Sequence, residues 1–297
     1  MIFNFILPFF HRFGYNERKK QEDRNMLTFR TEQISPRIIR IFAFCGELAY
    51  LVLGDKKAAL LDTGSGIGSL KACVDALTDL PVTVLITHGH VDHAMGAGEF
   101  EDIYMNRLDD YIYCPHADPD FRKAGLSMLL PEVRATEDDL IPAPPADSFQ
   151  DLRGGDCFDL GGVHIDVYNC PGHTRGSVVF LIREERTLLL GDACNEFTFL
   201  FDRYSTTITE YRSSLEALLS QVAGSYDHVL LSHGDGKGFP DQIQGVMGVC
   251  DDILAGRTAD IPFRFQGRTA LLAKEPHPRK RREDGSCGNI VYNKDRI

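Results

Sequence analysis

A layered α/β fold is what the sequence predicts, and three observations predict it. Short β-rich runs punctuated by glycine ("RIIRIFAFCG", "LAYLVLGD", "KAALLDTGSG") precede a segment with helical spacing. The next run, "VTVLITH", is continuously apolar, as expected of a strand buried on both faces. Strand, helix, strand in this order is the signature of a layered architecture. The composition agrees: 297 residues, 43% hydrophobic and 25% charged, suffice for one large domain or two small ones with a core that needs no staples.

The elements follow in order. "MIFNFILPFF" is apolar but lacks a basic leader and a small-residue cleavage site. It is far short of the ~20 residues of a spanning helix. The polar "HRFGYNERKKQEDRN" follows, so residues 1–26 are expected to be an N-terminal extension, disordered or preceding the native start. The domain itself is expected over 27–265. In "GSLKACVDALTDL", Leu70, Cys73, Val74 and Leu77 share a face, which predicts a helix. Residues 106–150 mix helical patches with prolines and read as a partly helical insertion, a candidate lid. Strands resume in "DCFDLGGVHIDVYNC", where Gly161 and Gly162 mark a hairpin turn, and in a second hairpin, "GSVVFLIREERTLLLGDA". "ITEYRSSLEALLSQV" is an amphipathic helix, "HVLLSH" a buried strand, and "FPDQIQGVMGVCDDILAG" a helix ending at Gly256. Residues 266–297 are expected as a tail packing on or extending the domain, with "PHPRKRRED" a solvated charge run.

Charge and cysteine usage exclude several classes. The net charge of -11 opposes a nucleic-acid partner. The eight cysteines are scattered and form no C-x-x-C pair, which argues against thiolate zinc sites and thioredoxin-type chemistry. Free thiols suit a reducing, cytoplasmic compartment. The expected partner is a small-molecule substrate, with no stable membrane insertion; a homo-oligomer is compatible with all of this.

The chemistry concentrates in "THGHVDH", residues 87–93. His88 and His90 point the same way in an extended segment, so two imidazoles can grip one ion. Gly89 lets the backbone bend closely around it. Asp92 and His93 lie beyond the strand end, and a second adjacent ion accounts for them. Sites in α/β sheets gather at the carboxyl ends of strands. Three other apolar runs end on a ligand-type residue: His173 after "VYNCPG", Asp192 after "LLLG" and His233 after "HVLLS". Histidine and carboxylate suit zinc, iron or manganese. Seven ligands are about what two ions with a bridging carboxylate and water use. His11, His116 and His277 in loops, and His164 and His228 near strand starts, read as ordinary.

The motifs "LLDTG" (60–64), "THGHVDH" (87–93), "PGHTRGS" (171–177), "LLGDA" (189–193) and "LLSHGDG" (230–236) together resemble the metallo-β-lactamase-fold hydrolase superfamily across roughly residues 36 to 240. The resemblance implies an αββα sandwich with the metals at one edge, between the two sheets. It implies that His88, His90 and His173 hold the first ion and Asp92, His93 and His233 the second, with Asp192 bridging. By the same resemblance Asp62 orients ligands or the metal-bound water, and Asp92 is the proton shuttle.

Two divalent ions, zinc first and iron or manganese as alternatives, then imply hydrolysis. Zinc lowers the pKa of bound water to about 7, and the hydroxide attacks a polarised carbonyl. The expected substrate is a small ester, thioester or lactone. Lactonase-type members commonly place a tyrosine where this chain has Asn195, which weakens that branch. The alternatives are an iron-dependent oxygenase of the persulfide type and a β-lactam hydrolase.

Overall fold

The alternation of apolar side chains along the first strands determines how they are used. β1 (Arg30–Gln33), β2 (Ile38–Phe42), β3 (Leu48–Leu53), β4 (Ala58–Leu61), β5 (Val82–Leu85), β6 (Ile103–Met105) and β7 (Gln150–Asp151) form one sheet in chain order. β1 to β4 run antiparallel, and β4 to β7 run parallel. The structure is a computed structural model describing residues 27–126, 135–277, 280–282 and 284–297. The N-terminal extension and residues 127–134 of the insertion therefore lie outside the described residues.

The chain then enters a second sheet with β8 (Cys157–Asp159), β9 (His164–Asn169), β10 (Val178–Ile182) and β11 (Thr187–Leu189). It leaves that sheet for β12 (Thr198–Leu200) and returns in β13 (His228–Leu230), giving the order β13-β11-β10-β9-β8. Side chains of period two separate the faces. Leu48, Tyr50 and Val52 of β3 meet Val178, Phe180 and Ile182 of β10 in the core between the sheets. Ala49 and Leu51 face the other way.

Helices cover both outer faces. α1 (Leu70–Asp75) packs Leu70 and Val74 on the first sheet, beside Ala94 of the one-turn α2 (Val91–Ala94). α3 (Asp110–His116) and α4 (Pro119–Leu126) follow within the insertion. On the second sheet, α5 (Ile208–Val222) and α6 (Gln242–Leu254) bury Tyr211, Leu215, Leu218, Val246 and Val249 against Val179 and Leu181. Each such side chain contributes about 1.5–3 kcal/mol on burial. That exceeds the ~1 kcal/mol of the Thr207–Glu210 capping box that starts α5, so packing rather than propensity holds this helix. Helix, sheet, sheet, helix is the αββα sandwich.

Three local expectations need correction. The helix expected through Leu77 ends at Asp75: Leu77 N–H donates to the Val74 carbonyl in a tightened last turn, and Thr78 bonds Leu80 N–H before Pro81. Residues 266–297 carry strands that extend the domain, and it is the boundary at residue 265 that changes. β14 (Ile261–Phe265), β15 (Arg268–Leu272) and β16 (Ile290–Tyr292) join β12 in a third sheet. The boundary drawn after residue 265 falls at the tip of the β14–β15 hairpin, where Gln266 and Gly267 both have positive φ. The basic run is docked rather than solvated: Lys280 pairs with Asp235 at 2.6 Å, and Arg281 with Asp241 at 2.8 Å. No helix among the described residues is long and apolar enough to cross a membrane.

Candidate metal centre

Strand ends deliver the site residues, and their outward hydrogen bonds orient them. Asp62 follows β4 with φ 63°, in the left-handed region. Its Oδ1 accepts the Thr87 N–H at 2.7 Å; its Oδ2 accepts the Thr87 hydroxyl at 2.8 Å and His93 Nδ1 at 2.9 Å. Because the Thr87 hydroxyl proton is spent on Asp62, His88 Nδ1 must be the donor in its 3.0 Å contact with Thr87 Oγ1. His173 Nδ1 donates to the Phe199 carbonyl at 2.8 Å. These partners hold the Nδ1 proton of three rings outward, so Nε2 is the nitrogen that each ring turns inward.

The seven ligand-type side chains named from the sequence converge. His88, His90 and His173 form one trio; Asp92, His93 and His233 form another; His88, His93 and Asp192 link the two. His90 Nδ1 stands 3.1 Å from His88 Nε2 and 2.9 Å from His173 Nε2. Asp192 Oδ2 lies 3.1 Å from His233 Nε2 and 3.5 Å from His93 Nε2. Asp92 Oδ2 lies 3.5 Å from both of those nitrogens. The expectation that Asp92 and His93 sit beyond a strand end holds in a specific form: they occupy α2, a single helical turn.

A cation fits this arrangement. His93 Nε2 is buried with no hydrogen-bond partner, while its Nδ1 is committed to Asp62. His88 Nε2 and His173 Nε2 both face His90 Nδ1, whose single proton can bond only one of them, and a cation satisfies all three. Two nitrogens on a tetrahedral ion with bonds of ~2.0–2.1 Å lie about 3.3 Å apart, close to the spacing here.

The electrostatics separate into two halves. Burial pushes the His88 and His90 imidazoles well below their usual range, and the neighbouring histidines push in the same direction. Burial would lower His233 as well, but Asp192 and Asp92 outweigh it and carry the ring up to about 9. Burial would raise the Asp92 carboxyl, yet His93 and His233 hold it well below the carboxylate range. His88 and His90 are thus held as neutral nitrogens; the other trio pairs histidine with carboxylate.

Three contributors escaped the sequence reading. His116 is not an ordinary loop histidine. It ends α3, its ring centroid lies 5.4 Å from that of His90, and it stacks on Phe121 at 4.9 Å. Asn195 Nδ2 donates to Asp192 Oδ1 at 3.3 Å. Asp109 touches both loops of the first trio. None lies in a motif with ligand spacing, so only the fold reveals them. Among the described residues, His164, His228 and His277 stay outside the three clusters, and His11 lies outside the described residues.

Residues 43–233 match the family described as the Metallo-beta-lactamase superfamily. The chain is 33% identical to an uncharacterized protein of Mycobacterium tuberculosis over 131 residues, 42% of this chain and 54% of that protein. It thus spans about half the length of that relative. An acyl-coenzyme A thioesterase of Gallus gallus is 26% identical over 203 residues, 62% of this chain and 71% of the relative. Among solved structures, a metallo-beta-lactamase from Pontibacter korlensis superposes with a TM-score of 0.55 at 16% identity, covering 76% of this chain and 100% of its own. The sandwich, the converging strand ends and the matched residues agree: the chain belongs to the metallo-β-lactamase superfamily.

Proposed function

We propose that this protein is a metal-dependent hydrolase of small thioesters or esters, with two divalent ions, most simply zinc. His88, His90 and His173 would hold one ion. Asp92, His93 and His233 would hold the other, and Asp192 would lie between them. The observation that carries the reading is the buried His93 Nε2, which has no hydrogen-bond partner and stands 3.5 Å from two carboxylates. Similarity to an acyl-coenzyme A thioesterase supports the thioester class.

When bound, such ions supply an activated water and polarise the carbonyl under attack. The chain's own residues do the rest. Asp62 holds His93 and, through Thr87, His88 in the tautomers that leave Nε2 free. Asn195 fixes the orientation of Asp192. Asp92, with 34% of its side chain exposed against 11% for Asp192, is the carboxylate a substrate can reach. Its ionised oxygen takes the proton of the attacking water and returns it to the leaving group.

The test is a substrate panel of acyl-coenzyme A thioesters, aryl esters, lactones and a β-lactam, with zinc-loaded protein and the His90→Ala variant as control. Thioester or ester turnover lost on chelation and in the variant is expected. A loaded protein inert to the whole panel would sink the reading.

A further inference from the structure

Asp109 is fully buried, lies outside every motif and carries no role in the chemistry above. It stands at the N-terminal end of α3, where an aspartate would ordinarily cap its own helix, yet its side chain makes no capping bond. Its carboxylate is spent elsewhere. Oδ2 accepts the Gly89 N–H at 2.9 Å and the Thr174 hydroxyl at 2.7 Å; Oδ1 accepts the Gly176 N–H at 2.7 Å. Gly89 separates His88 from His90, and Thr174 follows His173. One carboxylate therefore spans the two loops that carry the first trio.

The glycines fit around it. A Cβ at Gly89 would stand 3.0 Å from Asp109 Cβ, and one at Gly176 would stand 2.7 Å from its Oδ1. Neither glycine has a positive φ. Glycine is needed at both places for close approach rather than for backbone freedom. Burial pushes the Asp109 carboxyl up, opposed by its three donors.

We propose that Asp109 is the positioning residue of the His88/His90/His173 trio, clamping the 88–90 and 173–176 loops so that three imidazole nitrogens converge on one ion. This rests on the metal-centre reading of the previous subsection. Asp109 touches neither ion nor substrate; it acts through the backbone on either side of the ligands.

Asp109→Asn keeps the volume but sets an amide NH₂ against an N–H or hydroxyl donor of one loop. Cobalt(II)-loaded wild type and variant are compared by ligand-field absorption and by competition with a chelator. The expected result is a ten- to hundredfold weaker affinity for one of two ions, the other retained, and an altered cobalt spectrum. Thr174→Val, which removes a single donor at constant shape, should move both readouts the same way by less. It decides alone if Asp109→Asn does not fold. Unchanged spectrum and affinities, with only the melting temperature of the chelated protein lowered, would overturn the clamp. So would equal weakening of both ions. Neither readout involves turnover, so an inert substrate panel refutes the hydrolase reading separately. A wild type that binds no cobalt overturns both.

Discussion

Asp62 is where a single side chain constrains most of the site. It accepts three donors, including His93 Nδ1, from a left-handed backbone that aspartate and asparagine both tolerate. Asp62→Asn therefore changes the acceptor without straining the chain. Metal affinity measured against a chelator should fall ten- to hundredfold; an unaltered affinity refutes the orienting role. Asp92 makes a different prediction. A thiol with a pKa near 8.5 leaves as thiolate with little help, whereas an alcohol needs a proton. Asp92→Asn should thus depress ester turnover more than thioester turnover, read as the change in their ratio. Burial raises the Cys194 thiol well above its ordinary value, so alkylation of the native protein, mapped by mass spectrometry, should mark exposed Cys114 and spare Cys194. Five of the seven converging side chains were legible in the sequence because each lies just past an apolar run, and Asp92 and His93, on α2, were legible from their place beside His88 and His90. Asp109 and His116 were not, because their importance comes from tertiary approach, which leaves no spacing to read.

At the scale of elements, legibility followed length. The 15-residue α5 matched its predicted span, since Thr207 and Glu210 cap it and its apolar face repeats over four turns. Thr207→Ala should cost about 1 kcal/mol in chemical denaturation, with turnover per folded molecule unchanged. The third sheet stayed hidden because β12 and β16 are three residues each and pair across some ninety positions of chain, a contact that local pattern cannot announce. Gly172 links element to site. A Cβ there would stand 2.1 Å from the Tyr211 ring on α5. Gly172→Ala should destabilise by about 1–3 kcal/mol and displace His173, so denaturation and metal affinity should both suffer; a normal affinity would separate the two.

The whole molecule should answer to pH through its metal-free state. His233 titrates at about 9 when folded, against ~6.5 unfolded, and His93 is also raised. A raised histidine adds stability that is fully present below pH 6.5 and is lost as pH climbs through 9. His88 and His90, pushed down, are neutral when folded but about half protonated at pH 6.5 when unfolded, so they oppose the trend only at the start of the window and drop out above about pH 7.5. The chelated protein should therefore lose melting temperature between pH 6.5 and 9 relative to the zinc-loaded protein, and the gap between them should widen. A gap that narrows contradicts the protonated His93–His233 pair. The two-sided origin of the ligands has a further consequence. His88 to His93 arrive from the first sheet, while His173, Asp192 and His233 arrive from the second. On the proposed two-ion reading, a bound pair would be a rivet through the seam of the sandwich. During synthesis at ~5–20 residues per second, the first half of that rivet is made many seconds before its mate emerges. An ion captured early would be held loosely by the nascent chain, and final tightening would coincide with the closing of one sheet on the other.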